Sequence, residues 1–414
     1  MPLQLRWVGE ESYERLAETR MRCYAPAANM LPKYLDSLQK FHRAKPGDFL
    51  LAERDGEAVG TATALSLNIW MRGGRIPCQG VAYVGTIKTA RRMGGGDEKG
   101  IATQLMFETL RKAREREQPI SALMPFRASY YEHFGYGNAE HRTLWTIPVS
   151  ILPRGDFGGI RFYREGDLPK LMAMRQRECE AGQCDIETSP QAWEIWMAQW
   201  PDGLVVVDQA PDETTDGSIQ SMVFIEEERG SARAVLNVSD VYTASPAAML
   251  RVLYFLASMK DQYSDVTITL PGDYPLNRVL RESQIPHRQV DHPVAVAKPF
   301  TRMQIRVLDH KKTLEAMMLP TSTRGKLNVS VRECEGATSR FSIDVTDGRI
   351  AVAPTTHTTD VELTDVLWAS VVSGDLPASK AQQLGLLSAS VSPAGIALLD
   401  AFSVGPTPYC QEYF

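Results

Sequence analysis

The chain has 414 residues, 43% of them apolar and 23% charged, and a formal net charge of −5. That length suggests about three domains, and the balance excludes a disordered tail, a collagen-like repeat and a coiled-coil rod. The mild acidity disfavours nucleic acid as a partner, and no apolar run reaches the roughly 20 residues of a membrane helix. The start, MPLQLRWVGEESYERL, lacks the basic and apolar blocks of a signal peptide. Six scattered cysteines form neither a disulfide framework nor a zinc spacing. The expectation is a cytoplasmic protein with reduced thiols, no metal and no membrane association.

In chain order, a helical period runs from Tyr13 to Tyr24, followed by a looser stretch to about Pro46. The run FLLAERDGEAVGTATALSL is a hairpin turning at Asp55-Gly56. A strand over Val81 to Thr89 leads into the Gly-rich loop ARRMGGGDEKG. A helix follows, with Ala102, Met106 and Leu110 at i+4 spacing, and then the strand-like ISALMPF. Residues 159 to 300 repeat this order, with VYTASPAAM where the first copy has its Gly-rich loop. From Arg302 the texture is α+β: a strand and helix at RMQIRVLDHKKTLEAMM, short strands with a turn at Asp347-Gly348, then helical stretches. The expected domains are 1–155, 156–300 and 301–414. The final GPTPYCQEYF has few polar residues for a frayed tail and is expected to be docked.

A strand, a Gly-rich loop and a helix start over Val81 to Met106 make an anion site, because unpaired amides and the helix dipole face the ligand. Arg91, Arg92 and Lys99 add positive charge. The loop is not a Walker motif, since no Gly-Lys-Ser/Thr occurs, and it is not Gly-x-Gly-x-x-Gly. It resembles the acetyl-coenzyme A loop of the GNAT N-acetyltransferases, Arg/Gln-x-x-Gly-x-Gly/Ala opening a helix. Two registers fit: Arg91 to Gly96 matches the pattern literally, whereas GIATQLM from Gly100 matches the helix-opening half. The favoured one sets pyrophosphate at the amides of Gly100, Ile101 and Ala102, with Arg91 or Arg92 reaching in. The resemblance also implies that strand amides at Val84, Gly85 and Thr86 polarise the thioester carbonyl.

The second signature, SYYEHFGYG over Ser129 to Gly137, resembles the enhanced intracellular survival (Eis) branch of that family. The branch has tandem GNAT domains and a C-terminal domain similar to sterol carrier proteins, the order seen here. The implied fold is α/β and α+β: a GNAT domain with the acetyl-coenzyme A site, a degenerate second copy, and a sterol-carrier-like domain whose tail reaches the active site. The resemblance makes Tyr131 the general acid, a phenol of pKa near 10 donating to a leaving thiolate. It makes the carboxylate of Phe414 the proton acceptor for the amine. It further implies direct transfer to an aminoglycoside, a polyamine-like amine or a lysine amine, and a homo-oligomer, a hexamer in that branch. The rival is a non-catalytic lipid or ligand carrier on the same scaffold. Phe134 and Tyr136 are read as packing residues, and His133 as a solvent-facing turn residue.

Overall fold

Two left-handed residue pairs, Asp55-Gly56 (φ +54° and +82°) and Arg72-Gly73 (φ +49° and +75°), fold residues 49–86 into a three-strand meander. The computed structural model describes residues 2–24, 27–40, 44–91, 99–199, 203–209, 217–228, 234–286 and 291–414. By their contacts these fall into two units, one of residues 1–140, 182–192 and 302–414, the other of residues 141–181 and 193–301.

The first unit opens with β1 (Gln4–Val8), α1 (Tyr13–Tyr24), α2 (Leu31–Lys40), β2 (Phe49–Arg54), β3 (Glu57–Met71) and β4 (Gly74–Thr86). It continues with α3 (Ile101–Glu115), β5 (Ile120–Leu123), α4 (Ala128–Glu132) and β6 (Gly137–Asn138). α1 lies where the period predicts it. The looser stretch after it contains α2, whose Leu31, Tyr34, Leu35 and Leu38 share a face packed with Leu16 and Phe49. Pro32 does not prevent this helix, because its missing N–H falls in the first turn, where no intrahelical partner exists. β4 starts seven residues before the predicted strand, at Gly74, because Arg72-Gly73 closes a second hairpin.

Strands β1 to β4 are antiparallel, α3 crosses over, and β5 returns parallel to β4. The next position is filled by Gln304–Val307, antiparallel to β5 and paired also with β6. The other unit repeats the pattern. Ile160–Phe162, Leu204–Asp208, Ser221–Glu228 and Val235–Thr243 are antiparallel, Pro246–Ser258 crosses over, and Asp265–Pro271 is parallel to Val235–Thr243. Its sixth strand is β7 (Arg142–Pro148). Each tandem copy is thus completed by the strand that follows the other copy in sequence. Two expectations change. Gln304–Val307 does not open the third region but joins the first sheet. β7, expected inside 1–155, pairs in the second unit. Both cover an edge that a parallel fifth strand leaves unpaired.

The remaining sheet of the first unit is Gly325–Arg332, Thr338–Thr346 and Arg349–Pro354, with Val361–Thr364 parallel to its first strand. Asp347-Gly348 (φ +50° and +78°) makes its hairpin, as the sequence predicts. Leu327, Val329 and Val331 alternate inward against Trp368 and Phe402, in a core shared with Ile69, Cys78 and Ile120 of the first sheet. This packing explains the glycines of SYYEHFGYG. A Cβ on Gly135 (φ +76°) would strike the Asp365 carboxylate, and one on Gly137 would strike the Val366 carbonyl.

Candidate active site

β4 and β5 run paired through the rungs Cys78–Ile120, Gln79–Ser121, Gly80–Ala122 and Val81–Leu123, and then part. The floor of this parting is a buried polar chain. Gln79 Nε2 donates to the Thr109 carbonyl at 2.8 Å, Ser121 Oγ donates to Gln79 Oε1 at 2.9 Å, and Tyr136 Oη lies 2.7 Å from Ser121 Oγ. On its other edge β4 bulges: Thr63 opposes Ala82 and Thr61 opposes Gly85, so Tyr83 and Val84 together face one residue of β3. Tyr83 takes φ +51°, an uncommon conformation for a tyrosine. Beyond the last β4–β5 rung, the amides of Val84, Gly85 and Thr86 have no strand partner on the β5 side.

Tyr131 sits on α4 beside this parting, 5% exposed, in a cluster with Val81, Met106 and Leu123. Its ring meets those of Phe126, Tyr130 and Tyr136 edge-on at 5.7, 5.0 and 6.2 Å. Burial, and then the Tyr130 phenol, push its pKa above the ordinary phenol value. Phe134 and Tyr136 are buried core residues, and exposed His133 caps its own turn through Ser129.

Two residues that sequence reasoning missed complete the neighbourhood. Tyr24, at the end of α1, brings its hydroxyl to within 3.0 Å of where a Cβ on Gly85 would stand. Tyr24 is 44% exposed; partial desolvation of its hydroxyl, then the Cys23 thiol and the Tyr131 phenol, push its pKa upward, so the two phenols lie within electrostatic reach of each other. Arg20, 1% exposed, places its guanidinium 3.9 Å from the Tyr83 ring centroid and donates to Thr63 Oγ1 at 2.8 Å. It spans α1 and both strands of the bulge, and burial lowers its pKa to about 10. No sequence signal marks either residue beyond a polar position on an amphipathic helix.

The predicted anion site divides. α3 begins at Ile101 with Gly100 as its N-cap, a residue with no side chain to cap the helix, and among the described residues no side chain caps the first-turn amides of Ile101 and Ala102. Exposed Lys99 lies over the Phe107 ring at 4.5 Å, next to those amides. Arg91 is exposed at the start of the loop. Arg92 and most of the alternative register lie outside the described residues.

Phe414 approaches from the opposite face of the sheet. Its ring packs with Leu65, Leu67 and Ala82, and a Cβ on Gly80 would stand 2.9 Å from Phe414 Cδ2 and 2.5 Å from Leu67 Cδ1. Phe414 therefore lies against the rung just before the last β4–β5 pair, and Tyr131 clusters with Val81 of that last pair. Gly80→Ala is expected to displace the ring and lower turnover by about tenfold or more, with a stability cost of about 1–3 kcal/mol. Steady-state rates and a thermal melt on one preparation check this.

Residues 4–139 match the acetyltransferase (GNAT) domain family. An uncharacterized N-acetyltransferase of Streptomyces griseus is 24% identical over 384 residues, which cover 87% of this chain and 87% of that protein. Among solved structures, a GCN5-related N-acetyltransferase of Anabaena variabilis matches with a TM-score of 0.83 at 20% identity, over 100% of both chains. The Eis1 protein of Mycobacterium abscessus matches with a TM-score of 0.79 at 22% identity, again over 100% of both. At these identities the structural likeness is one of fold, and it extends along the whole chain.

Proposed function

We propose, from the premise that residues 4–139 are an acetyltransferase domain of the GNAT family and the chain is an acyltransferase, that it moves acetyl from acetyl-coenzyme A to an amine by direct attack. The observation that carries this is the convergence of Tyr131 and Phe414 on the point where β4 and β5 part, from opposite faces of the sheet. Beyond the parting, the stretch Val84, Gly85 and Thr86 keeps its β3 pairing and turns the alternate amides of Val84 and Thr86 to the open β5 side for the thioester carbonyl. The start of α3, where the N-cap Gly100 has no side chain, offers the amides of Gly100, Ile101 and Ala102 for pyrophosphate, with Lys99 and Arg91 or Arg92 supplying charge.

In this reading the amine nitrogen attacks the thioester carbon, and the carbon–sulfur bond breaks as the tetrahedral adduct collapses. Tyr131 gives its proton to the departing thiolate and is reprotonated from solvent. The proton lost by the amine passes through water to the carboxylate of Phe414. The acceptors that the resemblance implies are aminoglycosides, polyamine-like amines or lysine amines. The same resemblance carries the sterol-carrier-like character of the C-terminal sheet and a homo-oligomeric, hexameric assembly as part of the proposal. Among the described residues no helix is long and apolar enough to cross a membrane, and none of their acidic, His and Cys groups is arranged to hold a metal. The test is thermal stabilisation by acetyl-coenzyme A together with thiol release on adding a panel of such amines. Stabilisation with release is expected, and the absence of both would favour the carrier.

A further inference from the structure

The tail is held by hydrogen bonds to residues outside the site described above. Glu140 is 0% exposed and uses both carboxylate oxygens: Oε1 accepts from the Arg302 amide at 2.8 Å, and Oε2 from the Cys410 amide at 3.0 Å. Asp185, 3% exposed, accepts from the Gln411 amide at 2.9 Å. The Tyr409 amide donates to the Gln183 carbonyl at 3.0 Å. Arg302 Nη2 donates to the Cys410 carbonyl at 2.6 Å and lies 3.4 Å from the Glu412 carbonyl. Three successive tail amides and two carbonyls are therefore held. Beyond the last of them, two residues of about 3.5 Å each separate the anchor from the end of residue 414.

The holding groups share a place in the chain. Glu140 ends the first stretch of its unit, Gln183 and Asp185 lie on the short return 182–192, and Arg302 begins the last stretch. Glu140 and Arg302 stand where the chain leaves and re-enters this unit, and Gln183 and Asp185 are the second and fourth residues of its middle stretch. Burying a carboxylate is costly unless donors satisfy it, and bonds from amides to a charged acceptor are about twice as strong as neutral ones. Glu140 meets two amides through two different oxygens, and a glutamine there would turn its NH2 group toward one of those N–H donors.

We propose that Glu140 and Asp185 are positioning residues for the proton acceptor at residue 414: by gripping the amides of Cys410 and Gln411 they set where the chain beyond Glu412 meets β4. This rests on the reading of the Phe414 carboxylate as acceptor; the grip on the tail does not.

The full-length variants Glu140→Gln and Asp185→Asn test it, alone and combined with a Phe414 amide, by kcat, the KM for acetyl-coenzyme A, and release of Phe414 and Tyr413 by carboxypeptidase. The release assay uses the carboxylate-ended chains. Release is expected to rise about tenfold or more, and kcat to fall by about ten- to a hundredfold with the KM within about twofold. In the amide chain neither substitution should lower kcat further, because the group they position is gone. Unchanged release in both variants would overturn the grip. Raised release with unchanged kcat, in an enzyme that the amide slows, would overturn the positioning role. An amide chain as fast as the parent would instead remove the acceptor reading, while release would still decide the grip. Where Glu140→Gln does not fold, Asp185→Asn carries the same comparison.

Discussion

Converting the carboxylate of Phe414 to an amide is expected to lower kcat by about a hundredfold or more, with folding and acetyl-coenzyme A binding retained. The change is confined to charge. The ring that packs with Leu65, Leu67 and Ala82 is untouched, and so are the bonds that hold residues 409–412. What disappears is the charge of the carboxylate proposed to take up the proton of the incoming amine. A single glycine added after Phe414 separates charge from position: it keeps a carboxylate but moves it by about 3.6 Å, enough to break a relay of one water. Both forms should therefore be slow, at saturating amine and acetyl-coenzyme A, with melting temperatures close to the parent. An amide as fast as the parent would remove residue 414 from the chemistry and leave its ring a packing element.

Local signals in the sequence carried far. The 3.6-residue period predicts α1 over Tyr13–Tyr24, and the Asp-Gly pairs at 55–56 and 347–348 predict two hairpins, because those turns require left-handed residues. Tyr131 stood out through its motif, and the start of α3 through its glycines. What escaped depends on partners distant in sequence. Gln304–Val307 reads the same whichever sheet it joins; only the open edge of β5 decides. Arg20 reads as the polar face of an amphipathic helix, and its burial appears only when Tyr83 and Phe49 close over it. Glu140 and Asp185 read as surface acids by composition, and once buried they find their donors far along the chain, at the Arg302 amide and in a tail more than 220 residues away. The bulge at Tyr83 runs against local preference, which is where function most often overrides propensity.

Tyr131→Phe is expected to lower kcat by about a hundredfold, with little change in the KM for acetyl-coenzyme A. The ring stays edge-on to Phe126, Tyr130 and Tyr136, so only the hydroxyl, the proposed proton donor, is lost. Tyr130→Phe is the matched control. Among the described residues its buried hydroxyl has no hydrogen-bond partner, so removing it should leave kcat near the parent value and stability unchanged or slightly higher. The pH dependence gives a second test with a definite sign. A general acid acts while it holds its proton, and the buried Tyr131 phenol sits above the ordinary value near 10. Its ionisation therefore removes no activity between about pH 7 and 10, and any loss it causes begins only above that range. Within the range the Tyr131→Phe profile should run parallel to the parent's, lowered by a constant factor. If the parent instead shows a limb falling below pH 10 that the substitution abolishes, the phenol is ionising far more easily than its surroundings allow. An undiminished kcat in Tyr131→Phe would assign the thiolate's proton to another donor, and Tyr24, whose phenol lies within electrostatic reach, would be the next to replace.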